Sequence, residues 1–148
     1  MPRDAAITSR IMAAVRSRDT QPELMLRREL HRRGLRYRLR SDLIGRPDII
    51  FPRARVAVFV DGAFWHGYGW QERGFDSWQS QFDNHANPEK WRAKIGRNIE
   101  RDAEVNVALA SRGWHVCRIL ESAVRSDVIQ AADEVEAAVR MSTQHTAR

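Results

Sequence analysis

The sequence predicts a mixed α/β fold in which a central mixed β-sheet is flanked by helices. Three observations predict it: helical spacing at both ends and in the middle of the chain, a nearly continuous apolar run at 55–60, and short strand patterns on either side. A chain of 148 residues suits one domain, since folding at that length removes roughly 70% of the surface from water. The 43% apolar content is that of an ordinary globular core. No repeat, low-complexity block or linker divides it, so residues 1–148 read as a single domain.

Each element has its own signal. Ile11, Met12 and Val15 repeat at helical spacing over residues 8–16. A second helix begins after Thr20: Thr20-Gln21-Pro22-Glu23 is a capping-box pattern with Pro near the helix start, Leu24, Leu26, Leu30 and Leu35 partly track one face, and Gly34 is the stop. Strands are expected at 36–40, 48–51 and 55–60. The last of these reads Val, Ala, Val, Phe, Val, as a central strand covered on both faces should. Residues 61–86 form a long loop without periodicity, and loops of that length in small domains are functional or disordered. Trp65, Trp70, Trp78 and Trp91, with Phe75 and Phe82, argue against disorder. Asn87-Pro88 opens a long helix to about Arg112, which Gly113 ends. A strand at 114–120 and a helix from Ser126 to about Met141 complete the order.

Charge points to the partner class. Lys and Arg number 25 against 19 acidic residues, a formal charge of +6 with a sequence pI near 10.6. Such a surface attracts polyanions, nucleic acid first among them. The single cysteine, Cys117, excludes an internal disulfide and an all-cysteine zinc site, and its apolar strand setting suits a buried, inert thiol. No apolar run approaches membrane-spanning length and no signal-peptide core begins the chain, so a cytoplasmic, nucleoid-associated protein is expected.

The residues that could carry chemistry cluster around the central strand. Gly45-Arg46-Pro47-Asp48 stands at the mouth of one strand, and the next ends in Asp61-Gly62 with His66 five residues on. Two carboxylates at neighbouring strand ends can share a hard cation such as Mg²⁺, which polarises a phosphate and stabilises a leaving oxygen. His66 is the nearby side chain whose ordinary pKa suits it to take a proton from an attacking water. The same residues admit plainer readings: Pro-Asp and Asp-Gly are common turn dipeptides, and a histidine in a tryptophan-rich loop can be structural.

At this point a family resemblance enters. Ser17 to Glu23, Gly45 to Asp48, Phe64-Trp65-His66, Trp91 to Asp102 and Gly113-Trp114 resemble the very short patch repair (Vsr) endonucleases, in register from about Ser9 to about Ser122. The resemblance implies a PD-(D/E)xK restriction-endonuclease-like core and a Mg²⁺-dependent DNA endonuclease, with one or two ions, that nicks one strand beside a mismatch. T·G is the mismatch expected. It implies Asp48 as the main metal ligand, helped by the Val60 carbonyl, with His66 as general base and Glu23 supporting the site. Asp102 matches an acidic residue near the same centre. Glu23 is also accounted for by its capping box, and Asp102 by a solvated helix face.

The resemblance further implies that Phe64, Trp65 and Trp91 insert into the base stack. Apolar wedges unstack a step at a cost of a few kcal/mol, least where pairing is already faulty; ordinary core packing is the alternative. Arg10, Arg16 and Arg18 resemble an arm that enters the minor groove, and Arg46 and Asn98 lie in the matching motifs as further DNA contacts. By spacing alone, Lys94, Arg97 and Arg101 could face phosphates or simply water. Double-stranded DNA is the expected partner, with other repair proteins secondary, and the chain is expected to be a monomer.

Two departures qualify the match. Many relatives hold a structural zinc; here the matching positions are Ala63, Tyr68, Trp70 and Ser122, so no structural zinc is expected. An aromatic cluster of Trp70, Phe75, Trp78 and Phe82 is the expected substitute for stabilising the loop. Better-known members also read Thr-His where this chain has Val60-Asp61, which would make Asp61 a second metal ligand. No acidic-x-Lys motif follows Asp48, so a catalytic lysine is not expected. Two other readings stand beside the mismatch enzyme: a nicking nuclease of a restriction or phage-defence system, and a non-catalytic DNA-binding module.

Overall fold

A computed structural model describes residues 19–39, 42–62, 66–71 and 73–146. The helix expected at 8–16, with Arg10, Arg16 and Arg18, lies outside them, as do Ala63, Phe64 and Trp65. The elements run α1 (Gln21–Arg32), β1 (Ile49–Phe51), β2 (Val56–Asp61), a 3₁₀ turn at Ser80–Phe82, α2 (Pro88–Ser111), β3 (His115–Leu120), α3 (Glu121–Ser126) and α4 (Val128–Thr146). The sheet order is β1-β2-β3, with β1 antiparallel and β3 parallel to the central β2. It is the mixed sheet flanked by helices that the sequence predicts.

Strand alternation on β2 sorts its side chains between two cores. Val56, Val58 and Val60 face one side, where they pack with Leu26 and Leu30 of α1, Val124 of α3, and Ala131, Ala132 and Val135 of α4. Ala57 and Phe59 face the other, against Val105 and Leu109 of α2. All six residues of β2 are buried, which is why the run reads as apolar throughout. Asp61 falls on the Phe59 face by the same alternation, and so looks toward α2.

Both long internal helices stop by one device. Gly34 (φ 82°) and Gly113 (φ 84°) sit in the left-handed region. After α1 the Leu35 N–H donates to the Leu30 carbonyl and the Gly34 N–H to that of His31; after α2, Trp114 and Gly113 do the same to Leu109 and Ala110. These are Schellman closures, which glycine permits without steric cost. Arg33, at the end of α1, ties that helix to α4 through Asp133 (2.7 Å) and Glu136 (2.9 Å).

Four local expectations are corrected. Residues 36–39 do not form a strand: Arg38 makes a single antiparallel bridge to Ile50, and Arg40 lies outside the described residues. The capping box is displaced by one residue. The Glu23 carboxylate receives the Asp19 N–H at 3.0 Å, while the buried Thr20 hydroxyl has no partner. Asn87 precedes α2 without a side-chain cap. The last helix, expected from Ser126 to about Met141, instead starts at Val128 and runs to Thr146, with a separate short α3 before it; Asp127 divides the two and caps α4 by accepting the Gln130 N–H at 3.0 Å. No helix among the described residues is long and apolar enough to cross a membrane.

Candidate active site

The carboxyl end of β2 gathers the acidic residues that the sequence singles out. Asp48, just before β1, accepts the Val60 N–H at 2.8 Å, and its own N–H donates to the Val58 carbonyl. It is therefore held against the edge of the central strand from both directions. Its carboxyl sits well above the ordinary carboxylate range. Burial is the main cause; the Val60 hydrogen bond opposes it, and the nearby Glu23 and Asp61 carboxylates add to it. Glu23 comes from the first turn of α1, is 5% exposed, and shares a hydrogen bond with Asp48. Arg27, one turn along α1, reaches Glu23 at 3.2 Å and Asp19 at 2.6 Å.

A second group lies on the α2 side. His66 Nδ1 bonds to Asp102 Oδ2, and His66 Nε2 stands 3.7 Å from Asp61 Oδ1. Asp61, His66 and Asp102 each offer a ligand atom, all within 4.8 Å of one another. Arg118 of β3 completes the group. It reaches Asp61 Oδ2 at 3.0 Å and Asp102 Oδ1 at 3.5 Å, and its Nε donates to Asn106 Oδ1 at 2.8 Å. Its guanidinium lies over the Phe59 ring, 4.1 Å from the centroid.

Close packing places His66 and Asp102 together. Gly67 (φ 75°) lies so near α2 that a Cβ there would stand 2.5 Å from Ile99 Cδ1, and a Cβ on Gly45 (φ 81°) would stand 2.5 Å from Val105. Glycine at these positions lets the loop after β2 and the turn before Asp48 lie directly on the helix that carries Asp102.

The expected nucleic-acid residues divide by exposure. Arg46 is exposed with φ 50°. Trp91 is half-buried and stacks parallel to the fully buried Phe82, centroids 6.4 Å apart, with His85 edge-on to both. Lys94 lies over the Trp91 ring at 5.8 Å. Lys94, Asn98, Asp102 and Asn106 recur every four residues and share one side of α2, whereas Arg97 and Arg101 are exposed.

The aromatic cluster forms around a different centre from the one expected. Phe82 is its core and Trp78 lies against α2 at Gly96, where an added Cβ would sit 3.5 Å away; Phe75 stays 37% exposed. Of the positions matching the family's zinc ligands, Tyr68 and Ser122 are exposed and Trp70 half-buried. Cys117 is partly buried against the first core, and burial, with the Glu134 charge, pushes its thiol up to about 11. That keeps it protonated and unreactive near neutrality.

Arg118, Asn106 and Arg27 are absent from the sequence reading of the site. Two carried a visible signal: Arg118 interrupts the otherwise apolar Val116-Cys117-Arg118-Ile119-Leu120, and Arg27 stands at i+4 from Glu23.

Comparison with known proteins agrees with this arrangement. A family model described as DNA mismatch endonuclease Vsr matches residues 3–72. The type II nicking enzyme V.NmeDIP of Neisseria meningitidis serogroup C is 42% identical over 130 residues, 87% of this chain and 83% of the relative. V.XorIIP of Xanthomonas oryzae pv. oryzae, another type II nicking enzyme, is 43% identical over 107 residues, 72% of this chain and 73% of the relative. The DNA mismatch endonuclease Vsr of Escherichia coli K12 is 33% identical over 123 residues, 82% of this chain and 74% of the relative. With the restriction-endonuclease-like sheet and the acidic strand end, these matches place the chain in the Vsr family of DNA endonucleases.

Proposed function

We propose that this protein is a Mg²⁺-dependent endonuclease that nicks one strand of duplex DNA beside a T·G mismatch. The observation that carries the reading is the junction at the end of β2, where Asp48 and Glu23 meet Asp61, His66 and Asp102. The donor set fits a hard divalent cation: its main atoms are carboxylate oxygens, and the Asp48–Glu23 pair is short of positive charge. Asp48 with the Val60 carbonyl would hold the ion, and the Oδ1 of Asp61 is available to it. When bound, such a cation polarises the scissile phosphate and stabilises the leaving oxygen.

The protein's own groups supply the rest. His66, held through Nδ1 by Asp102, keeps Nε2 toward the site, where it takes the proton of the attacking water. Asp102 fixes the tautomer of the ring. Glu23, itself held by Arg27 and the Asp19 N–H, keeps Asp48 in place. Along α2, Lys94 and Asn98 stand on the Asp102 side and Trp91 lies further toward the helix start, a line suited to a DNA strand leading into the site. Phe64 and Trp65, between Asp61 and His66 in the sequence, are placed in that reading as the wedge, with Arg46 and Arg97 on phosphates and Arg10, Arg16 and Arg18 in the minor groove.

A second reading has support of its own. Two relatives named as type II nicking enzymes match at 42% and 43% identity, against 33% for the relative named as the mismatch endonuclease. It takes the same chemistry to a different sequence context, in the service of a restriction system.

A nicking assay on matched and T·G duplexes tests both, run with Mg²⁺ and with EDTA, beside Asp48→Ala. Mg²⁺-dependent cutting of the T·G duplex alone, lost in the variant, is the expected result. Equal cutting of both duplexes favours the second reading, and binding without cutting overturns both.

A further inference from the structure

We infer that Arg118 is a positioning residue of this site: its guanidinium is a built-in counter-cation that locks Asp61 and Asp102, and through Asp102 sets the orientation of His66. The inference rests on the proposed nuclease reading for its link to activity. Its geometric content stands on the contacts themselves.

Arg118 directs Nη1 and Nε into this one group. Nη1 spans Asp61 Oδ2 (3.0 Å) and Asp102 Oδ1 (3.5 Å), and Nε is anchored on Asn106 Oδ1 (2.8 Å). The ring of Phe59, its parallel-register partner on β2, supports the guanidinium plane from below at 4.1 Å. The side chain is only 15% exposed, so these contacts are not those of a surface ion pair.

The consequence follows from how Asp102 is shared. One of its oxygens faces Arg118 and the other receives His66 Nδ1. Two carboxylates with oxygens this close repel each other, and Asp61 is nearly buried. Without Arg118 the pair has no resident positive charge beside it, and Asp102 loses the contact that fixes its plane. A planar fork can hold two carboxylates and a side-chain amide at once, which a single ammonium does less well. Arg118 thus does for the Asp61–Asp102 pair what no lysine near Asp48 is placed to do.

Three variants test this: Arg118→Met, Arg118→Lys and the charge-matched Asp61→Asn/Arg118→Met. The readouts are kcat and KM for Mg²⁺-dependent nicking, and the tautomer of His66 from ¹⁵N imidazole spectra at a pH where the ring is neutral. The expected pattern is a fall in kcat of about 30-fold or more in Arg118→Met with KM for DNA little changed. His66 should lose its preference for the Nδ1–H tautomer in the same variant. Arg118→Lys should recover part of both, and the double variant should regain more of the His66 tautomer preference than Arg118→Met, since it removes the uncompensated charge.

An unchanged kcat and tautomer in Arg118→Met would overturn the inference. So would a rise in KM alone, which would make Arg118 a DNA contact, or a double variant whose His66 tautomer is no nearer the wild type than that of Arg118→Met. Should Arg118→Met fail to fold, the Arg118→Lys tautomer and kcat decide in the same way. A wild-type protein that cuts no duplex but shows the expected tautomer shift would sink the nuclease reading and leave the positioning role standing.

Discussion

The two halves of the acidic site differ in how their charge is met. On the α1 side, the half-buried Asp48 meets the buried Glu23; Arg27 pairs with Glu23, and among the described residues no ion pair reaches Asp48. On the α2 side, Asp61 and Asp102 share Arg118 directly, and His66 bonds to Asp102 as well. Both halves sit at one end of β2 within the same fold. One half shares an arginine between both of its carboxylates; in the other, among the described residues, the arginine pairs with Glu23 and no ion pair reaches Asp48. Carboxylates drawn out of water without a counter-charge are costly, and the difference is why the proposed function puts the cation at Asp48.

The largest test of this contrast is on activity. Asp48→Asn should reduce Mg²⁺-dependent nicking by on the order of a thousandfold, about 4 kcal/mol at the barrier, measured in single-turnover assays. Gly67→Ala should have the next largest effect, a loss of roughly tenfold or more in kcat. The added methyl meets Ile99 in a left-handed backbone position and lifts His66 off α2. A Gly67→Ala protein with wild-type turnover would show that His66 needs no support from the helix.

Stability without metal should then separate the halves by sign. Asp48→Asn removes a carboxylate whose charge burial and the neighbouring carboxylates already disfavour and should raise the melting temperature, by the equivalent of about 1 kcal/mol. Asp61→Asn takes charge from a satisfied pair and should lower stability by about 1–3 kcal/mol. Calorimetry of both variants in EDTA checks this; shifts in the same direction would erase the contrast.

The smallest effect belongs to an ion cluster away from the site, which sets a baseline. Hydrogen bonds from Arg32, then Arg33, hold the Glu29 carboxyl down at about 2. A depressed carboxylate stabilises the fold above its unfolded value and loses that contribution as pH falls from about 4.5 toward 2. Melting curves from pH 7 down to 3 should therefore fall slightly less steeply for Glu29→Gln than for the wild type.

The sequence made most of the frame legible, and for physical reasons. An apolar run covered on both faces leaves few alternatives to a central strand, and β2 lies within a residue of its expected bounds. Gly34 and Gly113 end their helices as read, because the left-handed position they fill is hard for other residues. What failed was local and depended on competition. Among the described residues 36–39, Arg38 alone pairs, since the facing β1 is three residues long. The Thr20 cap was lost because the Glu23 carboxylate took the Asp19 N–H and Arg27 instead.

For the candidate site, strand ends and spacing mark Asp48, Asp61 and His66, and the family resemblance marks Asp102; the structure brings Asp61, His66 and Asp102 within 4.8 Å of one another. Arg118 could not be tied to them by spacing, since its link to Asp61 spans 57 residues of sequence. Only the parallel pairing of β2 with β3 brings the two together.

The length of α2 has a consequence of its own. Trp91 and Asp102 are eleven positions apart on one continuous helix, which fixes their axial separation at roughly 16 Å. That is about five steps along a DNA strand. Adding or removing one residue between them would shift Asp102 by about 1.5 Å and turn it by about 100°, away from both His66 and Arg118. The helix is a calibrated spacer, more tolerant of a changed side chain on its outer face than of a changed count.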